Sequence, residues 1–197
     1  MPPFLIFIRH GETAWNAEGR LQGQRDIPLN DLGRDQARRN GRVLKSYLAS
    51  IGRDAETFDW VASPLSRARD TMELVREHAR LDPARYVCDD RLKEITFGAW
   101  EGSTMKELKA RDRPSVMARK ADKWRFVPPE GESYEMLSAR IEIWRDSLER
   151  DTVVVAHGGI SRVLRGLVFG TPSRLVPVLH VPQDRFLVIR NGIGAWL

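Results

Sequence analysis

Two of the chain's four histidines stand in the same setting. His10 follows the apolar run Phe4-Leu5-Ile6-Phe7-Ile8 and Arg9, and precedes Gly11; His157 follows Thr152-Val153-Val154-Val155-Ala156 and precedes Gly158-Gly159. Both runs are short, mostly β-branched or aromatic, and closed by glycine, which reads as a buried strand rather than a helix. In an open α/β sheet, ligands bind just beyond the carboxyl ends of such strands. Two further segments share the format: Arg67 comes after Asp59-Trp60-Val61-Ala62, and Glu94 after Arg85-Tyr86-Val87-Cys88. One phosphoryl group could use all five side chains. Arginine forks pair bidentately with phosphate oxygens and neutralise charge that grows in the transition state. A neutral imidazole held in one tautomer can attack phosphorus. A carboxylic acid can protonate the leaving oxygen and, as carboxylate, take a proton from attacking water. Glycines after the histidines let backbone N–H groups approach an anion.

Taken singly, these residues have plainer readings. Arg9 could be an ordinary ion-pair arginine and His10 a strand-end histidine bonded to backbone. Glu94 and Glu101 could be solvated surface, and His78 and His180 fit structural roles better than catalytic ones. No HExxH, no cysteine pair and no clustered ligand spacing points to a metal. Neither a GxGxxG nor a GxxxxGK(S/T) loop is present, which argues against a dinucleotide or ATP enzyme.

The elements that must position these groups alternate between strand and helix patterns, the mark of an α/β layered sheet. A polar loop, 14–30, leads into a helix capped by Asn30 or Asp31. Its apolar positions are Ala37, Gly41, Leu44, Leu48 and Ile51, and Gly41 marks close packing against the sheet. Ser63-Pro64 reads as N-cap and first residue of the helix that carries Arg67. A cation so early in a helix opposes the dipole preference, so something negative should face it. A short helix spans 103–112, and the stretch to Pro129 reads as a lid or wall. Ser133 caps an amphipathic helix through Leu137, Ile141, Trp144 and Leu148, and a helix over 160–168 ends at Gly170. Val178–Val181 and Phe186–Ile189 read as late strands. Trp15 and Trp100 lie in loops that could wall a pocket, while Trp60 and Trp144 sit in core patterns.

At 197 residues the chain is long enough for one well-buried core, so a single domain over 1–197 is expected, with the wall segment near 103–129. The N-terminal apolar run is too short for a signal peptide or a membrane span. A lone cysteine, Cys88, excludes an internal disulfide, fits a reducing compartment and hence the cytoplasm, and reads as a buried spectator. Of the net charge of +5, the whole surplus lies in 103–125, where eight Lys or Arg face three acids. No zinc-finger, RNP-type or helix-turn-helix signature accompanies it, so nucleic acid is not expected; a solvated face or a field attracting small anions remains. Trp196-Leu197 could pack on the chain's own core or across a homodimer interface.

The order of motifs resembles the histidine phosphatase superfamily, in its phosphoglycerate mutase-like phosphatase branch, over nearly the whole chain. Arg9-His10-Gly11-Glu12-Thr13 with Asn16 looks like the family's RHGxTxxN signature. Gln22-Gly23, Asp26-Ile27-Pro28-Leu29, Ser63-Pro64-Leu65 with Arg67, Trp100-Glu101-Gly102 and Ala156-His157-Gly158-Gly159 follow in the family's order. The resemblance implies a three-layer α/β fold with a mixed, mostly parallel central sheet flanked by helices. It implies His10 as the nucleophile, Arg9, Arg67 and His157 as the phosphate pocket, and Glu94 as proton donor. Asn16, Gly23, Thr13 and Gly158 would add contacts, and Glu12 would help arrange the pocket. No metal or diffusible cofactor is implied. The expected activity is phosphomonoester hydrolysis of a small anionic metabolite: a sugar, glycerate, ribazole or nucleotide phosphate. The alternatives are a phosphoglycerate mutase, which would need 2,3-bisphosphoglycerate, and a non-enzymatic module that binds a phosphorylated ligand. Ala99 departs from the acid many relatives carry before the tryptophan.

Overall fold

The computed structural model describes residues 3–197. Three apolar runs form adjacent parallel strands: β1 (Leu5–Arg9), β2 (Asp59–Ala62) and, between them, β4 (Thr152–Ala156). The short β3 (Val87–Cys88) pairs parallel to the outer side of β2. Beyond β1 the sheet turns antiparallel through β5 (Phe186–Arg190) and β6 (Ile193–Trp196), giving the order β3-β2-β4-β1-β5-β6. Side chains alternate between the two faces of a strand, so both faces of β1 and β4 are apolar and both need cover.

Four long helices provide it. On one face, α2 (Asp31–Ser50) and α3 (Ser66–His78) bury Leu44, Leu48, Ala68, Met72 and Val75 against Ile6, Ile8, Val153 and Val155. On the other, α6 (Tyr134–Asp146) and α7 (Gly158–Phe169) bury Leu137, Ile141, Trp144, Ile160 and Leu164 against Phe7, Val154, Ala156 and Leu187. The result is the three-layer, mostly parallel α/β arrangement the sequence implied. Short helices fill the connections: α1 (Ala14–Ala17), α4 (Met105–Arg111) and α5 (Arg113–Ala121). Around α4 and α5 a small cluster of Trp100, Leu108 and Val116 is buried apart from the main layers. Among the described residues no helix is long and apolar enough to cross a membrane.

Several local expectations change. Val178–Val181 is not a strand: Val176–Val178 forms a 3-10 turn with Pro177 in it, followed by irregular backbone. Pro177 has no N–H to give a ladder, and Val178 is exposed. The extra strand β6 returns through Asn191-Gly192, whose φ angles of 52° and 74° are those of a tight hairpin turn. The third strand shrinks to two residues because only those pair with Val61 and Ala62. Cys88, on that edge, is exposed rather than buried. Gly41 packs against Val75 and His78 of α3, so it serves helix–helix contact and not the sheet. Helix α3 starts at Ser66 with no side-chain cap, which leaves Ser63 free for another role.

Candidate active site

The register sets the site. β1, β4 and β2 run side by side, and Arg9 lies opposite Ala156. The ladder continues one step beyond the strands: His10 N–H donates to Ala156 O at 2.9 Å, and Ser63 N–H to Val155 O at 2.9 Å. His10, His157 and Ser63 therefore stand in a row at the carboxyl edge of the sheet. The two imidazoles are 5.1 Å apart between ring centroids.

His10 is buried, and its Nδ1 lies 2.7 Å from Gly11 O. A carbonyl only accepts, so Nδ1 carries the hydrogen and Nε2 keeps its lone pair. Burial, reinforced by Arg67 and Arg9, holds the ring well below the usual imidazole range. The ring is thus neutral, with one basic nitrogen. Gly11 is needed here for space: a side chain would overlap the backbone of Gly33 at the start of α2. Its N–H is held by Thr71 Oγ1 at 3.1 Å.

His157, fully buried at the start of α7, has Nε2 2.7 Å from Ser63 Oγ. Burial and then Arg67 keep it well below its ordinary value as well. Arg67 is buried in α3 and donates to Gly23 O and Arg25 O, both at 2.7 Å. Two carbonyls hold the cation directly, and Glu94, Asp26 and Glu101 supply the negative charge expected near it. Arg9 donates to Val181 O at 2.8 Å. Burial lowers each arginine to about 10, with Arg162 a further cause at Arg9, yet both stay charged at neutral pH. Six buried side-chain nitrogens or oxygens lack a partner among the described residues, and three of them are Arg9 Nε, Arg67 Nε and His157 Nδ1. Orphaned donors of this kind cost about 1–3 kcal/mol each, so their clustering marks groups aimed at a ligand.

Glu94 reaches the site from the loop after β3. Both its oxygens accept from Gly159 N–H at 3.1 Å, and Oε1 also accepts from Ile95 N–H at 2.9 Å. Any side chain at Gly159 would overlap Glu94 Oε1. The floor around these groups is a cavity of about 270 Å³ lined by Arg9, His10, Asn16, Gly23, Glu94 and Arg162, among others. A larger cleft, about 570 Å³, lies at the β2–β3 edge and holds neither buried histidine, so size does not choose the site.

The remaining residues singled out in the sequence divide. Asn16 lines the cavity; its Oδ1 accepts from Gln183 Nε2 at 3.1 Å, which leaves its amide hydrogens for the pocket. Gly23 lines it too, at φ +54°, where any side chain would overlap Glu101 Oε1. Thr13 is not in the lining: it is the N-cap of α1 in a capping box with Asn16, and its hydroxyl donates to Gln22 Oε1 at 2.6 Å. Glu12 accepts from Asn30 Nδ2 at 2.9 Å, beside the cavity rather than in it. Gly158 lies where Arg9 and Arg162 converge. Trp100 is buried under α4 and Trp15 packs on Gly102, so neither walls the pocket.

Sequence reasoning missed two groups. Arg162 lines the cavity one helical turn after Gly158, a position whose only signal is the i, i+4 spacing on α7. Glu101 is a brace: it accepts from Gln24 N–H, Thr96 Oγ1 and Phe97 N–H at 2.9–3.1 Å, tying the Gly23 loop to the Glu94 loop.

Comparison with known proteins agrees with this geometry. The family model described as histidine phosphatase superfamily (branch 1) matches residues 5–192. The chain is 32% identical over 187 residues to a glucosyl-3-phosphoglycerate phosphatase of Mycolicibacterium vanbaalenii, covering 89% of this chain and 78% of that protein. It is 32% identical over 175 residues to a 2,3-bisphosphoglycerate-dependent phosphoglycerate mutase of Azorhizobium caulinodans, covering 83% and 80%. Three further relatives at 34% identity are longer, and the chain spans 48% of each. The crystal structure of a putative alpha-ribazole-5'-P phosphatase from Escherichia coli superposes with a TM-score of 0.82 at 25% identity, over 100% of this chain and 95% of that one. A motif order, a fold and a family model that all run nearly end to end lead to one assignment: the chain belongs to the histidine phosphatase superfamily, branch 1.

Proposed function

We propose that this protein hydrolyses small phosphomonoesters through a phosphohistidine at His10. The observation that carries the reading is the 2.7 Å bond from His10 Nδ1 to Gly11 O, which leaves Nε2 as the free nucleophile. His10 Nε2 attacks phosphorus, the P–O bond to the alcohol breaks, and Glu94 as the acid gives the leaving oxygen its proton. Arg9, Arg67 and His157 Nδ1 hold the phosphoryl oxygens as charge shifts onto them. Water then attacks the phosphohistidine, Glu94 takes its proton, and phosphate leaves with His10 restored. The neutral state of His10 supports this order, because a protonated ring could not attack. The phosphatase names of the M. vanbaalenii and E. coli proteins support hydrolysis, with a sugar, glycerate, ribazole or nucleotide phosphate as the candidate substrates.

Transfer to a second hydroxyl is the competing reading, favoured by the similarity to the A. caulinodans mutase. The test is phosphate release from a panel of phosphomonoesters in EDTA, beside His10→Ala, with 3-phosphoglycerate also followed for conversion to 2-phosphoglycerate with and without bisphosphoglycerate. Release that disappears in His10→Ala, with an acid-labile, base-stable label on the wild-type protein, supports hydrolysis. Interconversion with little phosphate released supports the mutase reading. Turnover that survives in His10→Ala refutes both.

A further inference from the structure

Behind the cavity, the irregular segment that follows the 3-10 turn at Val176–Val178 meets three residues of the site. Val181 O accepts from Arg9 at 2.8 Å. Two residues on, Gln183 Nε2 donates to His10 O at 3.2 Å and to Asn16 Oδ1 at 3.1 Å. One side-chain amide thus touches both the residue read as the nucleophile and a residue of the cavity lining. No step of the hydrolysis uses it.

The direction of each amide is fixed by a backbone group. Thr13 N–H donates to Asn16 Oδ1 at 3.3 Å, and a backbone N–H bonds only to an acceptor, so that atom is the oxygen. His10 O only accepts, so the atom of Gln183 that faces it is the nitrogen. With two donors on its oxygen, Asn16 has its Nδ2 hydrogens left for the cavity it lines. Turned by 180°, the Asn16 amide would set its own NH2 against Thr13 N–H and the Gln183 NH2, donor against donor. It would then show an oxygen, not a donor, to a phosphoryl group.

The other contact falls on the peptide unit that joins His10 to Gly11. A trans peptide points its N–H and C=O in opposite directions. Here Thr71 Oγ1 accepts from the N–H at 3.1 Å while Gln183 Nε2 donates to the C=O, so the unit beside the imidazole is gripped from both sides. The next carbonyl, Gly11 O, is the one that fixes the His10 tautomer. Gln183 is held in turn by α2: buried Asn40 donates from Nδ2 to Gln183 O at 3.3 Å, and Arg39 donates to Asp184 O.

We propose that Gln183 is a positioning residue of the phosphate pocket. It locks the Asn16 amide with its hydrogens toward the phosphoryl oxygens and holds the carbonyl of the nucleophile's own peptide. The inference rests on the phosphatase reading for what occupies the cavity.

Phosphate binding tests it without turnover. Calorimetry would give the dissociation constant of inorganic phosphate for the wild-type protein, Gln183→Met, Asn16→Ala and the double variant. Methionine fills a similar volume and donates nothing. Loss of the bond that orients the pocket amide predicts phosphate binding weaker by about 3- to 10-fold in Gln183→Met. On the Asn16→Ala background the same change should cost less than about 2-fold, because the residue it acts through is gone. A loss below about 3-fold in Gln183→Met overturns the proposal. So does an equal loss in both backgrounds, which is what a role in shaping the loop alone would give. If Gln183→Met does not fold, side-chain amide NMR of the wild-type protein decides. The Gln183 NH2 should resist exchange with or without phosphate, and the Asn16 NH2 only with phosphate; a freely exchanging Gln183 amide overturns the proposal. Coupling between Gln183 and Asn16 in a protein that hydrolyses no ester supports the positioning role and refutes the catalytic reading instead. Intact hydrolysis without that coupling does the reverse.

Discussion

Gly159 offers a way to remove the proposed proton donor without touching it. Alanine there would put a methyl group on Glu94 Oε1 and 3.2 Å from Ile95 Cγ2, so the carboxylate must move away. Its bonds from Gly159 N–H would be lost, costing about 1 kcal/mol at a helix N-terminus. Alanine in place of glycine inside a helix returns up to about 1 kcal/mol. The two effects nearly cancel, and a residue of 1 kcal/mol shifts Tm by only about 2–4 °C in a chain of this size. Catalysis has no such compensation. Loss of a positioned general acid lowers kcat by about 10²- to 10⁴-fold. The loss should be large for an alkyl phosphate, whose alkoxide needs the proton, and far smaller for 4-nitrophenyl phosphate, whose phenolate leaves unaided. Steady-state kcat on both esters, with Tm by calorimetry, reads the result. Equal loss on the two esters would refute Glu94 as the donor, and so would no loss on either.

Acid should destabilise the fold through the two histidines. Both are held neutral below their ordinary value, whereas in the unfolded chain they titrate near 6.5. Below about pH 6.5 the unfolded chain therefore binds more protons, so stability present above that value falls with pH, by up to about 1.4 kcal/mol per pH unit per histidine. Urea unfolding between about pH 7 and pH 5 checks it, and an unchanged slope in His10→Asn with His157→Asn would contradict it. Ser63→Ala removes the hydrogen-bond partner of His157 Nε2 in a buried site and should cost about 1–3 kcal/mol in urea unfolding, with reduced kcat; a change below about 0.5 kcal/mol would show the bond to be unimportant. Gly41→Ala drives a methyl group into Val75 of α3 and should cost about 1–3 kcal/mol with kcat unchanged per folded molecule, measured by titrating folded protein against activity. A matching loss of kcat there would mean that the α2–α3 contact reaches the site.

What the sequence made legible follows from where the chemistry is encoded. His10 and His157 announce themselves because a buried parallel strand is a continuous apolar run, and the residue that ends it is fixed at the sheet edge. Helices α2 and α6 are legible by apolar spacing and by the Asn30 and Ser133 caps. Ser63 reads as a helix cap because Ser-Pro is a common helix start, yet its hydroxyl serves His157 across the strand ends, 94 residues away in sequence. Arg9, Arg162 and Lys123 donate to the backbone carbonyls of Val181, Leu179 and Pro177, a group every residue has, so no residue type betrays these anchors. Glu101 looks like any loop acid until the loops it ties are brought together. The Asn191-Gly192 turn was a local signal for β6 that the flanking glycines obscured, because Gly194 weakens the strand pattern.

The central position of β1 also has a cost in time. Leu5 pairs with Thr152 on one side and Ile189 on the other, so the strand bearing the nucleophile has no sheet partner until the last quarter of the chain has been made. At about 5–20 residues per second, that leaves Leu5-Ile6-Phe7-Ile8 unpaired for roughly 10–30 s of synthesis. Pairings this remote in sequence close slowly, and an apolar β-prone segment waiting for them is the kind that associates between chains. The arrangement that puts His10 at the centre of the finished sheet therefore makes its strand the segment most dependent on protection while the protein is being born.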